Sequence, residues 1–363
     1  MAEREPIALA RTLLKSAVAA HVFPAAVAEV GESDRVLWRE SFGTLLFRPD
    51  ARAADDQTIF DLASLTKPIA TTTLVLQLVA ERGLGLHDLV SAHFREWSGP
   101  DREDATIQDL LEHVGGLAAR LVDAPPIGRR EFEHEICTMP LEYRPRTQSI
   151  YSDLGFILLG FLAEDRGGST VAAQFATMLD RVGVASLIDD AADFLAFSVP
   201  VDLHPRTAPT LPLLDDVRRG RTLVAEVHDN YAAALGGVAG HAGLFGTAGA
   251  VGAFARTVLR SARGDASIPA PLSPPLVARA TRKSTVPGSS RALGWDTMLP
   301  TSSCGTEMSP AAFGHVGYTG TSLWIDPVLD RYFVLLTNRV CEGGTSEDMQ
   351  AVRRAFHGAV AKI

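Results

Sequence analysis

Cysteine and blocks of positive charge are both scarce in this sequence of 363 residues. The cysteines are Cys137, Cys304 and Cys341, an odd number at wide spacings that provides neither a disulfide framework nor a metal-ligand pattern. The zinc-protease pattern His-Glu-x-x-His is absent as well. The net charge is −9 and no basic cluster occurs, so nucleic acid is not an expected partner. We therefore expect no metal site and no nucleic-acid surface.

A secretory leader pattern and a long unbroken apolar run are also missing. Residues 1–6 carry acidic side chains, and no typical apolar stretch follows them. The uncharged run after Lys67 is short and contains threonine and glutamine, and the longer run over 230–255 is interrupted by glycines. These features predict no membrane partner and a cytoplasmic location.

The order of the predicted elements indicates an α+β fold. Strand patterns lie at both ends of the chain, over residues 23–30, 35–43, 292–295, 313–317, 322–325 and 332–337. Helical patterns are found over residues 6–22, from Ser64 to about residue 80, and over 107–113, 154–162, 248–262 and 346–362. A proline-rich link is predicted over 269–287, and close backbone packing in the glycine-rich segment 236–246.

This arrangement predicts an antiparallel β-sheet flanked by helices, with a mostly helical domain inserted into it. The sheet domain is expected to comprise residues 1–62 and 248–363. The inserted helical domain is expected to comprise residues 63–247, with the active site at the junction of the two.

Ser64 and Lys67 are the first candidates for chemistry. They begin the long uncharged stretch, and residues three apart share one face of a helix. Lysine is rare in this chain, which has four of them, Lys15, Lys67, Lys283 and Lys362. A serine becomes a nucleophile when a base takes its proton, and a lysine serves if its surroundings lower its pKa. A lysine reaching to solvent from a helix end is the alternative interpretation.

Two further polar segments follow, Tyr151-Ser152-Asp153 and His315-Val316-Gly317. In this order with Ser64-x-x-Lys67, they resemble the three motifs of the serine β-lactamase and penicillin-binding-protein superfamily. The tyrosine in the second motif is similar to that of the class C β-lactamase and esterase branch. Segments over 61–67, 110–117, 240–245 and 314–327 add to the resemblance, which covers residues 20–345.

The resemblance implies acyl transfer that requires neither a metal nor another cofactor. Ser64 is expected to attack the carbonyl of a small-molecule ester or amide and form an acyl-enzyme, which water then hydrolyses. Lys67 and Tyr151 are expected to share the role of base. The backbone N–H groups of Ser64 and Tyr318 are expected to form the oxyanion hole.

The remaining motif positions, Asp153, His315 and Gly317, are expected to contact substrate, and some depart from the family pattern. Asp153 stands where asparagine is common, and an ionised acid there favours Lys67 as a cation. His315 and Val316 replace a lysine and a threonine with which β-lactamases hold a substrate carboxylate, and histidine carries charge only when protonated. These departures favour an ester over a β-lactam.

We therefore predict a serine hydrolase, most simply an esterase acting on small esters. A D-amino-acid peptidase, amidase or weak β-lactamase is the second prediction, and a catalytically silent binding or assembly protein is the third. An α/β-hydrolase is disfavoured because Gly-x-Ser-x-Gly is absent. His113 is interpreted as structural, and the polar loop 228–230 as lying outside the pocket. The natural substrate and the oligomeric state stay open.

Overall fold

The structure is a computed structural model that describes residues 5–122, 124–184 and 192–363. The strands in these ranges are β1 (Ala25–Gly31), β2 (Val36–Gly43), β3 (Phe60–Asp61), β4 (Leu195–Ala196), β5 (Phe245–Gly246), β6 (Asp296–Thr297), β7 (Phe313–Val316), β8 (Ser322–Asp326) and β9 (Arg331–Thr337). One antiparallel sheet has the order β2-β1-β9-β8-β7-β6, and a smaller one has the order β3-β5-β4.

The α-helices of the described ranges are α1 (Glu5–Ala19), α2 (Thr73–Ala80), α3 (Ile107–Leu111), α4 (Gly128–Thr138), α5 (Asp153–Gly167), α6 (Val171–Arg181), α7 (Asn230–Ala234), α8 (Ala248–Ala262), α9 (Pro274–Ala280) and α10 (Ser346–Val360). A 3-10 turn, Ala63–Leu65, and a π-helix, Lys67–Thr72, precede α2. No helix in this part of the chain combines the length and the apolar character needed to cross a bilayer.

The large sheet is buried on both faces, which explains the nearly continuous apolar sequences of its central strands. Successive side chains of β1 point to opposite sides. Ala26, Ala28 and Val30 join the core that α1 and α10 cover. Ala25 and Val27 join the core that α8 covers. Because β1 pairs with β9, the two ends of the chain form one sheet and the helical middle is tethered at both of its ends.

Close backbone contact fixes the glycine-rich segment against α5. A side chain at Gly240 would collide with the Phe156 carbonyl and with the backbone of Gly160. The hydroxyl of Thr71 also donates to the Gly240 carbonyl, at 2.6 Å. The predicted close packing is therefore confirmed at Gly240, Gly243 and Gly246 but not at Gly236 and Gly237, which have open space beside them. The Gly240 contact brings His241 beside the π-helix.

The predicted fold class, an antiparallel sheet with flanking helices, is confirmed. The helix predicted over 248–262 coincides with α8. The strand predicted over 292–295 is wrong, because Gly294 has a φ of +71° and the chain turns there before the two-residue β6. The link predicted over 269–287 contains α9, whose prolines occupy the first helical positions. The division into domains at residues 62 and 248 stays a prediction.

Candidate active site

Ser64 lies at the start of the helical segment in a strained turn. The preceding residue, Ala63, has a φ of 48°, a left-handed conformation that is rare for any residue but glycine. The Asp61 carboxylate holds this turn by accepting from the Ala63 N–H at 2.8 Å and from the His228 N–H at 2.7 Å. Strain of this kind persists where surrounding contacts fix it, and it is frequent at functional sites.

Lys67 is completely buried, and its ammonium is bound on three sides. Its Nζ donates to Ser64 Oγ at 3.0 Å, to Asp153 Oδ1 at 2.8 Å and to the His241 carbonyl at 3.2 Å. Burial acts to lower the pKa of Lys67, but the charge of Asp153 and the nearby Tyr151 oxygen outweigh it and raise that pKa above its usual value. Lys67 is therefore an ammonium in the resting protein, and the lowered pKa that would make it a base is not found.

Tyr151 lies between two cations. Lys67 Nζ is 4.7 Å from the centre of its ring, and the Arg291 guanidinium is 4.9 Å away. Its hydroxyl is buried without a well-formed hydrogen bond among the described residues, although Ser64 and Lys67 are near enough to act on its proton. Burial raises the pKa of Tyr151, and Lys67 opposes that rise. The group is a neutral phenol at rest.

Asp153, the last residue of the second motif, is the first residue of α5, and the contacts of this helix start hold Tyr151 in place. Ser152 caps the helix, since its hydroxyl accepts from the Leu154 N–H at 3.2 Å. The Ser152 N–H donates to Nδ1 of His113 at 3.1 Å, and the His113 ring packs 4.7 Å from that of Tyr151. Burial holds the pKa of His113 well below its usual value, so this histidine is a neutral support for the tyrosine.

Asp153 belongs to a closed ring of hydrogen bonds. Its second oxygen accepts from Arg120 Nη1 at 2.9 Å, and the same nitrogen donates to Asp229 Oδ2 at 2.9 Å. Asp229 Oδ1 is 2.7 Å from His241 Nε2, and the His241 carbonyl accepts from Lys67. The ring therefore connects Lys67 to Asp153, Arg120, Asp229 and His241 in turn and closes at Lys67.

The carboxylates of this ring also meet the geometric requirement of a cation site. Single ligand atoms of Asp153, Asp229 and His241 lie within 4.8 Å of one another. The positive charges that face the two carboxylates are Lys67 and Arg120, and they balance them one for one. The donor set is thus already paired, and it does not call for a metal.

The third motif lies on β7 and in the turn that follows, beside Ser64. The turn is tied to the Ser64 segment, because the hydroxyls of Thr319 and Thr321 donate to the carbonyls of residues 61 and 62 at 2.8 and 3.0 Å. A side chain at Gly317 would collide with Thr321 and with the Leu62 carbonyl, which explains the glycine. The N–H groups of Ser64 and Tyr318 have no hydrogen-bond acceptor within the described ranges.

His315 is buried and carries no charge. One ring nitrogen, Nδ1, is 2.8 Å from the Val316 carbonyl, while Nε2 has no partner in the described part of the chain. Burial, helped by the positive charges of Arg291 and Lys67, holds the pKa of His315 well below its usual value. At neutral pH, His315 therefore does not provide the positive charge that a protonated histidine would supply at this position.

With this geometry defined, the comparisons identify the family. The sequence profile of the Beta-lactamase family matches residues 10–356. The chain belongs to the β-lactamase family. This is a family of serine hydrolases, and the resemblance seen in the three motifs is confirmed.

Curated relatives within the β-lactamase family carry the name of a peptidase. A protein of Salmonella gallinarum named "Putative D-alanyl-D-alanine carboxypeptidase" is 31% identical over 322 residues, which cover 82% of this chain and 72% of that protein. A Salmonella agona protein of the same name is 30% identical over the same shares.

Solved structures with low identity share the fold. EstCE1, described as a hydrolase with promiscuous acyltransferase activity, has a TM-score of 0.74 and 18% identity, covering 97% of this chain and 98% of its own. Simvastatin synthase LovD from Aspergillus terreus has a TM-score of 0.74 and 17% identity, covering 99% and 98%. A class C β-lactamase from Rhodobacter sphaeroides has a TM-score of 0.73 and 19% identity, covering 98% and 99%. At these identities the likeness concerns the fold alone.

Two cavities meet at Ser64 in this β-lactamase-family chain. The second-motif cavity has a volume of about 340 Å³ and is lined by Ala63, Ser64, Ala119, Arg120, Tyr151, Asp153, Leu213, His228, Asp229, His241, Ala242 and Tyr318. The third-motif cavity has a volume of about 240 Å³ and is lined by Ser64, Tyr151, Arg291, His315, Val316, Gly317, Tyr318, Arg339, Ser346, Met349 and Arg353. Ser64, Tyr151 and the half-exposed Tyr318 line both cavities.

The arginines of the third-motif cavity differ in how they are bound. Arg353 donates to the Gly317 carbonyl at 2.6 Å, and Arg339 donates to the Tyr318 carbonyl at 2.6 Å. The Arg291 guanidinium has neither a hydrogen bond nor an ion pair to any described residue, and it contacts the Tyr151 ring. Arg291 is thus a fixed positive charge available to a ligand beside the uncharged third motif.

All the predicted site residues meet around these cavities, namely Ser64, Lys67, Tyr151, Asp153, His315, Gly317 and Tyr318. The interpretation of the loop 228–230 as lying outside the pocket is wrong, because His228 and Asp229 line the second-motif cavity. Sequence reasoning also missed Arg120, Arg291 and the role of His241, none of which carries a local motif. The available signal was the rarity of lysine, which leaves arginine as the source of nearly all fixed positive charge.

Proposed function

We propose that the chain is a serine hydrolase that forms an acyl-enzyme on Ser64 and acts on small esters. The observation that carries this proposal is the 3.0 Å contact between Ser64 Oγ and the buried Lys67 ammonium, at the point where the two cavities meet. Burial of an ammonium destabilises the protein, because it removes the charge from water. We take the contact with the Ser64 nucleophile as the functional reason for keeping a buried lysine here.

The reaction begins with the loss of one proton from the Tyr151–Lys67 pair, since both groups are protonated at rest. Tyr151 then takes the Ser64 proton as Oγ attacks the ester carbonyl. The N–H groups of Ser64 and Tyr318 stabilise the resulting oxyanion. The bond to the alkoxy group breaks, Tyr151 returns the proton to the departing alcohol, and an acyl-enzyme remains. Water repeats the sequence and releases the acid.

Two features support an ester over a β-lactam. The third motif carries no cation at neutral pH and no hydroxyl at position 316, so the means of holding a β-lactam carboxylate is reduced. In the second-motif cavity, Asp153 and Arg120 are bonded to each other, while Ala63, Ala119, Leu213 and Ala242 supply apolar surface. We assign this cavity to the acyl group, which is expected to be short and apolar.

Hydrolysis of p-nitrophenyl butyrate and of a chromogenic cephalosporin by one preparation tests this proposal. The wild type should hydrolyse the ester and leave the cephalosporin almost untouched, and Ser64→Ala should abolish ester hydrolysis. Ser16→Ala is a matched control, because Ser16 lies on the exposed face of α1, far from the motifs in sequence. Ester turnover that survives in Ser64→Ala would contradict the proposal.

A second candidate, a D-amino-acid peptidase, is favoured by Arg291. Its unpaired guanidinium is suited to the terminal carboxylate of a peptide in the third-motif cavity, because arginine binds carboxylates through paired N–H groups. The name of the Salmonella relatives adds support. Release of D-alanine from a peptide ending in D-Ala-D-Ala, compared with release of D-alaninamide from the same peptide with an amidated C-terminus, tests it. Equal rates on both peptides would count against a carboxylate site.

A further inference from the structure

Arg120 is fixed more firmly than an exposed arginine usually is. Its Nη1 binds Asp153 and Asp229, its Nη2 donates to Asn230 Oδ1 at 2.6 Å, and its guanidinium lies 4.0 Å from the centre of the Tyr231 ring. Lysine cannot reproduce these contacts at once, because its ammonium is a single point at the end of a flexible stem. The guanidinium therefore sets the distance between the two carboxylates.

Those two carboxylates are connected to Lys67 through two different contacts. Asp153 holds Nζ directly. Asp229 acts through His241, whose ring it binds at 2.7 Å and whose carbonyl accepts from the same Nζ. Displacement of Arg120 or Asp229 would release one side of the ring and move Nζ away from Ser64 Oγ.

We propose that Arg120 and Asp229 are positioning residues, which hold the Lys67 ammonium against Ser64 through Asp153 and His241. This inference rests on the proposed role of Ser64 as nucleophile. The ring of hydrogen bonds then has two tasks. It aligns Nζ of Lys67 with Ser64, and it balances the charge around Tyr151.

The electrostatic task has a sign that can be tested. The Tyr151–Lys67 pair must lose a proton before Ser64 reacts. The charged or titratable groups near it are Asp153, Arg120, Asp229 and His241 on one side and Arg291, His113 and His315 on the other, and the last two are neutral. Removal of the Arg120 charge should make that proton harder to lose, and removal of the Asp229 charge should make it easier.

The rate of Ser64 phosphonylation by a fluorophosphonate, measured from pH 6 upward to the pH at which it levels off, gives a readout that needs no natural substrate. The serine oxygen displaces fluoride from phosphorus, and its proton passes to the Tyr151–Lys67 pair. In Arg120→Gln we expect a limiting rate about tenfold lower and a pH profile shifted upward. In Asp229→Asn we expect a similar loss of rate and a profile shifted downward. Arg120→Lys should keep the wild-type profile, because it keeps the charge, and lose rate.

Arg129→Gln is the matched control. Arg129 is 37% exposed against 36% for Arg120, binds Asp165 at 2.6 Å and lies 4.9 Å from the Phe161 ring, but it does not line either cavity at Ser64. It should react as the wild type does. Thermal unfolding of each variant separates loss of fold from loss of position.

The outcomes distinguish this inference from the proposed function. If wild-type Ser64 does not react with the fluorophosphonate, the proposed function itself fails. If the wild type reacts and the profiles of Arg120→Gln and Asp229→Asn shift in the same direction or stay unchanged, the positioning inference fails alone. It also fails if both folded variants keep the wild-type phosphonylation rate and change only the KM for p-nitrophenyl butyrate, since these residues would then be substrate contacts.

Discussion

Arg120 in the second-motif cavity and Arg291 in the third-motif cavity differ in what neutralises their charge. Arg120 lies over the Tyr231 ring and is bonded to two aspartates and an asparagine. Arg291 lies over the Tyr151 ring and has no carboxylate partner in the described chain. A charge that is satisfied within the protein fixes geometry, whereas a charge without a partner is available for a ligand.

The comparison gives each side of Ser64 a different task. On the second-motif side, two carboxylates and two cations cancel, and a cavity with apolar walls remains for the acyl group. On the third-motif side, His315 is neutral and Arg291 is the charge not already bound to the protein. Arg291 is thus the charge on this side that remains for a carboxylate on the leaving group, as the second candidate function requires.

The largest expected effect comes from removing Lys67 from the second-motif side, where the charges balance. Lys67→Ala removes the ammonium that binds Ser64 and leaves Arg120 as the cation bound to Asp153. The kcat/KM for p-nitrophenyl butyrate should fall by about 10³-fold, within the range found for a positioned acid–base group. Lys283→Ala, at an exposed lysine, should leave activity unchanged. A loss below tenfold in folded Lys67→Ala would contradict the account.

The next effect is a strong dependence of the wild type on pH. Both Lys67 and Tyr151 have pKa values raised above their usual ones, so the deprotonated pair is scarce at neutral pH. The kcat/KM should rise by about tenfold per pH unit through the neutral range and level off only under alkaline conditions. A raised lysine pKa stabilises the folded protein fully below the pKa of the unfolded chain, and this stabilisation is lost as the pH rises through the raised value. The contribution of Lys67 to the free energy of unfolding should therefore stay constant through the neutral range. A rate that is flat from pH 6 to 9 would refute this.

Arg291→Gln sharpens the comparison on the other side. The KM for a peptide or ester with a carboxylate on its leaving group should rise by about tenfold, as expected for the loss of one charge-assisted contact. The KM for a neutral ester should change by less than twofold. The reverse pattern, or an equal change for both substrates, would mean that Arg291 acts through Tyr151 and does not bind the leaving group.

The smallest effect concerns the apolar wall of the second-motif cavity. If Leu213 contacts the acyl chain, each added methylene should improve kcat/KM by up to about fourfold, up to the length that the cavity holds. Leu213→Ser should reduce that gain to less than twofold. A series of p-nitrophenyl esters from acetate to hexanoate measures it, and an unchanged series in the variant would assign the acyl group elsewhere.

Local patterns predicted the fold class and the first contact of the site. Strands buried on both faces appear in the sequence as apolar runs, and the spacing of Ser64 and Lys67 puts them on one helix face, where they touch. The same patterns did not reveal that Lys67–Thr72 is a π-helix, because its hydrogen bonds span one residue more without changing the composition.

The surroundings of Lys67 were beyond local reasoning for a different reason. Arg120, Asp229 and His241 come from three separate segments, and tertiary packing alone brings them together. Whether Lys67 has a raised or lowered pKa depends on that assembly, because burial and the charge of Asp153 act in opposite directions. The sequence identifies Lys67 and Asp153, but the sum of their opposing effects on the pKa of Lys67 requires the distances between the groups.

The most direct test of the account is the covalent state of Ser64 during turnover. Wild-type protein mixed with p-nitrophenyl butyrate and quenched in acid within milliseconds should carry a butyryl group, and peptide mass mapping should locate it on Ser64. Ser64→Ala should carry none and release no p-nitrophenol above background. Steady hydrolysis by the wild type with a butyryl group on another residue, or with full activity in Ser64→Ala, would contradict the central claim.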